Sequence, residues 1–146
     1  MAPKFDKDYV IKTVEERGIR FIRFWFTDVH GQLKSFAICD TELELAFEEG
    51  MGFDGSSIDG YTRIEESDMI AIPDPPTFRM LPWRPELGGV ASMFCSVQLP
   101  DGTPFSGDPR NALKRNLAKA ADMGLTMYVG PELESFYFED ETDAVP

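Results

Sequence analysis

The chain has 146 residues, 42% of them hydrophobic, which is enough apolar material for a real core and too much for a chain disordered by composition. Its 26 acidic against 14 basic residues give a formal net charge of −12, which argues against a nucleic-acid backbone or an anionic membrane as partner. Cys39 and Cys95 have no C-x-x-C spacing and His30 is the only histidine, so a disulfide framework and a zinc site are set aside. No apolar run approaches a bilayer span and the start MAPKFDKDY lacks a signal-peptide core, so a reduced cytoplasmic setting is expected.

The spacing predicts a helix over 7–17, with Asp6 as its cap, Val10, Ile11 and Val14 as its apolar stripe and Gly18 as its stop. IRFIRFWF at 19–26 reads as a strand with Phe24 and Phe26 on one face and Phe21 and Trp25 on the other. Both faces are largely apolar, which predicts an interior strand with both sides covered. TDVHG turns the chain, and QLKSFAI at 32–38 returns as a hairpin partner. A second helix is predicted over 41–49, with Thr41 and Glu44 in capping-box spacing and Leu43, Ala46 and Phe47 facing inward.

From 50 to 67 the chain is glycine-rich and polar around Phe53 and Ile58, and is read as a loop pinned by those two residues. DMIAI follows as a short strand stopped by Pro73, and FRMLPW and VASMFCSVQLP are two more strand candidates. The second of them places Ala91, Met93, Cys95, Val97 and Leu99 on one face, and DGTPF turns the chain after it. These elements make an α+β domain on one curled sheet, assigned to residues 15–105. A boundary is expected at 106–108, where Asp108 caps a helix with Pro109 in its first turn and Leu113, Leu117 and Ala121 at helical spacing up to Gly124. Residues 106–146 are then the truncated opening of a larger domain.

Two stretches carry candidate chemistry. In GPELESFYF, at 130–138, strand alternation puts Glu132 and Glu134 on one face, about 6 to 7 Å apart. Like charges at that spacing call for a cation, and a hard ion such as Mg²⁺ or Mn²⁺ takes oxygen ligands of this kind, with further ligands or waters filling its shell. The same spacing also suits an edge strand whose first residues meet water. The other stretch surrounds Asp54, between the anchor Phe53 and Gly55, with Ser56 and Ser57 alongside. It is neither a P-loop nor a dinucleotide fingerprint, and it either turns a corner or holds Asp54 as an oriented carboxylate for a base or cation site.

FTDVHG, MGFDGSSIDGYTRIEESDM, the Pro82–Trp83 pair, DGTPFSGDPRNALKR and GPELESFYF, in this order, resemble the start of the prokaryotic-type glutamine synthetases. The resemblance implies a β-grasp N-terminal domain followed by the start of an α/β barrel-like catalytic domain. It implies an ATP-dependent carbon–nitrogen ligase that joins glutamate to ammonium through γ-glutamyl phosphate, uses Mg²⁺ or Mn²⁺, and assembles as a dodecamer with active sites between subunits. Glu132 and Glu134 match family metal ligands, Asp54 matches the aspartate that helps deprotonate ammonium, and Arg63 matches a position of feedback regulation. The family strand more often reads E-P-E followed by two aromatics. Here Leu133 and Ser135 depart from that pattern, on the face expected to point away from the glutamates. The chain alone is expected to be inactive, since other ligands and the amine pocket lie beyond Pro146. The alternatives are a γ-glutamyl ligase for another amine and a non-catalytic structural or regulatory homologue.

Overall fold

The computed structural model describes residues 5–56, 58, 67–83 and 88–138. Helix α1 spans Lys7–Arg17, where the Asp6 side chain accepts the Tyr9 N–H and Gly18 closes the helix in the left-handed region at φ 60°. Strand β1, Phe21–Thr27, pairs antiparallel with β2, Leu33–Cys39, as the hairpin pattern predicts. A short 3₁₀ turn, Asp40–Glu42, leads into α2, Leu43–Glu48. The predicted capping box does not form. The helix begins two residues later than the spacing suggested, with Glu42 at its N-cap and no side-chain capping bond, because the 3₁₀ turn already occupies the Thr41 position.

Met51–Asp54, read from sequence as part of a loop, is an edge strand, β3, paired antiparallel with β4, Asp68–Pro73. The glycines concealed it, yet among the described glycines of this stretch only Gly50 needs its freedom. It turns at φ 78°, and a Cβ there would come within 2.5 Å of the Ile70 and Ile72 side chains. FRMLPW yields only the two-residue β5, Arg79–Met80, while the long candidate forms β6, Val90–Gln98, ending two residues short of the predicted stretch. The strand order is β2-β1-β6-β4-β3, with β5 also on β6; β1 and β6 run parallel and the other pairs antiparallel. Helix α3, Pro109–Asp122, follows.

β1 is interior to the sheet, but only one of its faces is covered. Ile22 and Phe24 are buried together with Ala91, Met93 and Cys95 of β6, beneath Val10 and Val14 of α1 and Leu43 and Ala46 of α2, while Phe26 and Val97 pack with Met69 of β4 in a second cluster. On the opposite face Phe21 is 51% exposed and Trp25 half-buried against Phe94, at 5.5 Å between ring centroids. The expectation that both faces would be covered is corrected, since α1 and α2 pack on the same side. The apolar stripe of α3 is likewise open, with Leu113 51% and Leu117 40% exposed.

Candidate functional site

Asp54 ends β3 on the face opposite its anchor. Phe53 stacks on Phe36 and packs at a tilt against Phe26, with centroids at 5.7 and 4.8 Å, and this aromatic group fixes the strand so that the next side chain projects outward. The Asp54 carboxylate accepts the Ser56 N–H at 2.8 Å, closing an Asx-type turn, and the Gly55 N–H bonds to the Ser67 carbonyl at 2.7 Å. The Ser56 hydroxyl and then its N–H hold the Asp54 carboxyl below the ordinary carboxylate range, with slight burial opposing them and the Ser67 hydroxyl adding to them. The turn therefore holds Asp54 as an oriented, ionised carboxylate. Ser57 and Arg63 lie outside the described residues.

Sequence reasoning missed Asp68. The β3–β4 register sets it directly opposite Asp54, with both residues exposed, so two acids share the end of this strand pair. Like charges in cross-strand positions repel, which deepens the local negative potential. No string around residue 68 announces this, because the pairing appears only once β3 is recognised as a strand.

The Asp28 turn proves structural. The Asp28 carboxylate is fully buried; its Oδ1 accepts the N–H groups of His30 and Gln32, each at 2.9 Å, and Lys34 Nζ stands 3.3 Å from Oδ2 as an ion pair outside hydrogen-bond geometry. Burial pushes this carboxyl up, but the Gln32 N–H, the Lys34 ammonium and the His30 N–H together bring it below its ordinary value. His30 itself is exposed, in keeping with a turn residue.

Glu132 and Glu134 are placed differently from expectation. Residues 125–138 form no strand in the structure, and the chain there is exposed throughout, with Leu133 91%, Phe136 86% and Tyr137 99% accessible. The predicted separation of two faces is therefore corrected. A strand needs a ladder partner for its backbone groups, and none of the described residues supplies one. Among the described residues neither glutamate forms an ion pair, and no group of three or more acidic, histidine or cysteine side chains is arranged to hold a metal. The two carboxylates fit a hard divalent ion as two free oxygen donors of an incomplete set. No hydrogen bond or ion pair among the described residues joins this segment to the Asp54 turn. A groove of 510 Å³ between α3 and the sheet, lined among others by Phe26, Phe94, Leu113 and Leu117, includes neither Asp54 nor the glutamates.

A mixed sheet with a parallel β1–β6 pair and both helices on one face is an α+β domain of β-grasp type. Residues 18–100 match the model of the glutamine synthetase beta-Grasp domain, and residues 106–145 that of the glutamine synthetase catalytic domain. The chain belongs to the glutamine synthetase family. It is 58% identical over 132 residues to a glutamine synthetase of Mycolicibacterium smegmatis, an alignment covering 89% of this chain and 30% of that protein. It is 54% identical over 140 residues to one of Methanosarcina mazei, covering 96% and 31%. Among solved structures, the GmaS/ADP complex superposes with a TM-score of 0.70 at 32% identity, over 77% of this chain and 25% of that one. The cryo-EM structure of Plasmodium falciparum glutamine synthetase superposes with a TM-score of 0.73 over 82% and 23%, and at 18% identity speaks for the fold alone. The chain thus spans about a third of the length of the curated relatives it matches.

Proposed function

We propose that this chain is the N-terminal part of an ATP-dependent glutamate–ammonia ligase, forming glutamine through γ-glutamyl phosphate. The observation that carries the reading is the succession of both family domains along one chain, with relatives named glutamine synthetase at 54–58% identity. Residues 15–105 are its β-grasp domain and 106–146 open its catalytic domain. The whole enzyme works in the cytoplasm as a ring assembly, a dodecamer, in which the Asp54 turn of one subunit meets the Glu132–Glu134 segment of the next. Arg63 serves regulation.

Glu132 and Glu134 would hold Mg²⁺ or Mn²⁺, which when bound shields the phosphoryl charge of ATP and polarises the γ-carboxylate of glutamate. Their exposure, and the lack of cationic partners among the described residues, leave their oxygens available for this. Asp54 stands where ammonium would arrive. Its lowered pKa makes it a weak base and a dependable anion, so its main contribution is to attract and orient the cation; proton transfer to it is secondary. Asp68, opposite it, adds to the attraction.

The test is an assay of the full-length protein with ATP, glutamate and Mg²⁺ against ammonium and a panel of alkylamines, ethanolamine and polyamines. Ammonium is expected to give the highest kcat/KM. A higher value with one of the other amines would replace ammonium by that amine and make the enzyme a different γ-glutamyl ligase.

A further inference from the structure

The loop between the two family domains looks, in sequence, like a linker: DGTPFSGDP is short, polar and rich in glycine and proline. The hydrogen bonds around it say otherwise. Alternate residues of β6 direct their backbone groups to opposite edges. The Phe94 carbonyl and N–H go to the Asp74 N–H and the Thr77 hydroxyl, on the β4 side. Val97, of the other parity, faces the β1 edge, but β1 pairs with β6 only as far as Phe94. Beyond that point the β1 edge of β6 would carry a buried and unmatched peptide at Val97, which is itself 0% exposed.

Side chains of α3 complete that edge. Asp108, 1% exposed, divides its carboxylate: Oδ1 accepts the Arg110 N–H at 2.8 Å, capping the helix, and Oδ2 accepts the Val97 N–H at 2.9 Å. The Val97 carbonyl receives Asn111 Nδ2 at 2.8 Å together with the Phe105 N–H at 3.0 Å, and Asn111 Nδ2 also reaches the Phe105 carbonyl at 3.2 Å. Arg110 pairs with Asp74 at the end of β4, and Lys114 Nζ donates to the buried Ser96 hydroxyl of β6 at 2.6 Å. Four residues in the first turns of the helix thus hold the sheet, whereas residues 115–119 are exposed.

We infer that Asp108 and Asn111 are positioning residues that weld the first helix of the catalytic domain into the β-grasp sheet. The sheet and α3 as far as Lys114 then form one rigid unit. Movement of the Asp54 domain relative to the rest of a catalytic domain pivots beyond Lys114, not in the loop at 101–107. The inference stands on these contacts and does not depend on which amine the enzyme uses.

The test is residue-resolved hydrogen exchange on the full-length protein, comparing wild type with Asp108→Ala, Asn111→Ala and Ser96→Ala. The last two leave the helix cap in place, so they report even where Asp108→Ala fails to fold. Loss of one buried partner is expected to accelerate exchange by about tenfold or more. Asn111→Ala should raise it at Phe105 and Val97 and, with them, at the amides of 110–114, while those of the β1–β2 hairpin stay unchanged. Asp108→Asn, which keeps one accepting oxygen, should restore part of the protection lost in Asp108→Ala. Faster exchange confined to α3, with Val97 unaffected, would mean that Asp108 is a helix cap and nothing more, and would overturn the weld.

Discussion

Full-length enzyme carrying Glu132→Ala or Glu134→Ala is expected to form glutamine about 10²–10³-fold more slowly, the rate equivalent of the several kcal/mol that a well-placed cation contributes to a phosphoryl-transfer transition state. Folding should be untouched, since both side chains are exposed and hold nothing else in place among the described residues. Calorimetric titration with Mg²⁺ or Mn²⁺ on each variant separates the causes. Lost sites or weakened affinity support a ligand role. Unchanged stoichiometry and affinity in both variants would remove the metal assignment, whatever the rate did.

Asp54→Asn should lower the glutamine-forming rate far more than it alters binding of ATP or glutamate, with ring assembly intact. Asparagine preserves the turn, because its side-chain oxygen can still accept the Ser56 N–H, and removes the charge that attracts ammonium. The folded-state pKa of Asp54 lies below its ordinary value, so the wild-type group stays ionised throughout about pH 6 to 9. The ratio of wild-type to variant rate should therefore be flat across that range, and a ratio that followed a titration there would point to a different group. Mixing Asp54→Asn with Glu132→Ala subunits should restore activity, because some junctions then join an intact Asp54 turn to an intact pair of glutamates. Complete mixing, verified by sedimentation, without rescue at any ratio would mean that the turn acts within its own subunit.

Much of the fold is legible in the sequence. Helix α1 with its Asp6 cap and Gly18 stop, the β1–β2 hairpin, the buried face of β6 and the Asp108 cap of α3 all carry local signals: a capping side chain, a period of two, a proline in the first helical turn. What escaped the sequence depended on partners. Met51–Asp54, with Gly52 inside it and Gly50 and Gly55 on either side, does not look like a strand and becomes one because β4 offers it an edge. Residues 130–138 have a strand's alternation but no ladder partner among the described residues, so they form no strand and are exposed. Periodicity records which side chains want burial and is silent about whether a neighbour is there to bury them. The candidate site divides in the same way. Asp54 was found from its immediate neighbours, Phe53 and Ser56, whereas Asp68 is close to it only through strand register, and the double duty of Asp108 follows from the point where β1 stops.

The central claim is that the whole enzyme activates the γ-carboxylate of glutamate as an acyl phosphate. In that reaction a carboxylate oxygen attacks the γ-phosphorus of ATP and ADP leaves. Ammonium gives up a proton, the resulting ammonia adds to the acyl carbon, and phosphate departs carrying the former carboxylate oxygen as the adduct loses a second proton to leave the amide. The most direct measurement supplies the full-length protein with glutamate labelled with ¹⁸O in the γ-carboxylate, together with ATP, ammonium and Mg²⁺, and follows the label by mass spectrometry. The account predicts one labelled oxygen in the inorganic phosphate for each glutamine formed. Glutamine formed together with inorganic phosphate that carries no label would contradict it.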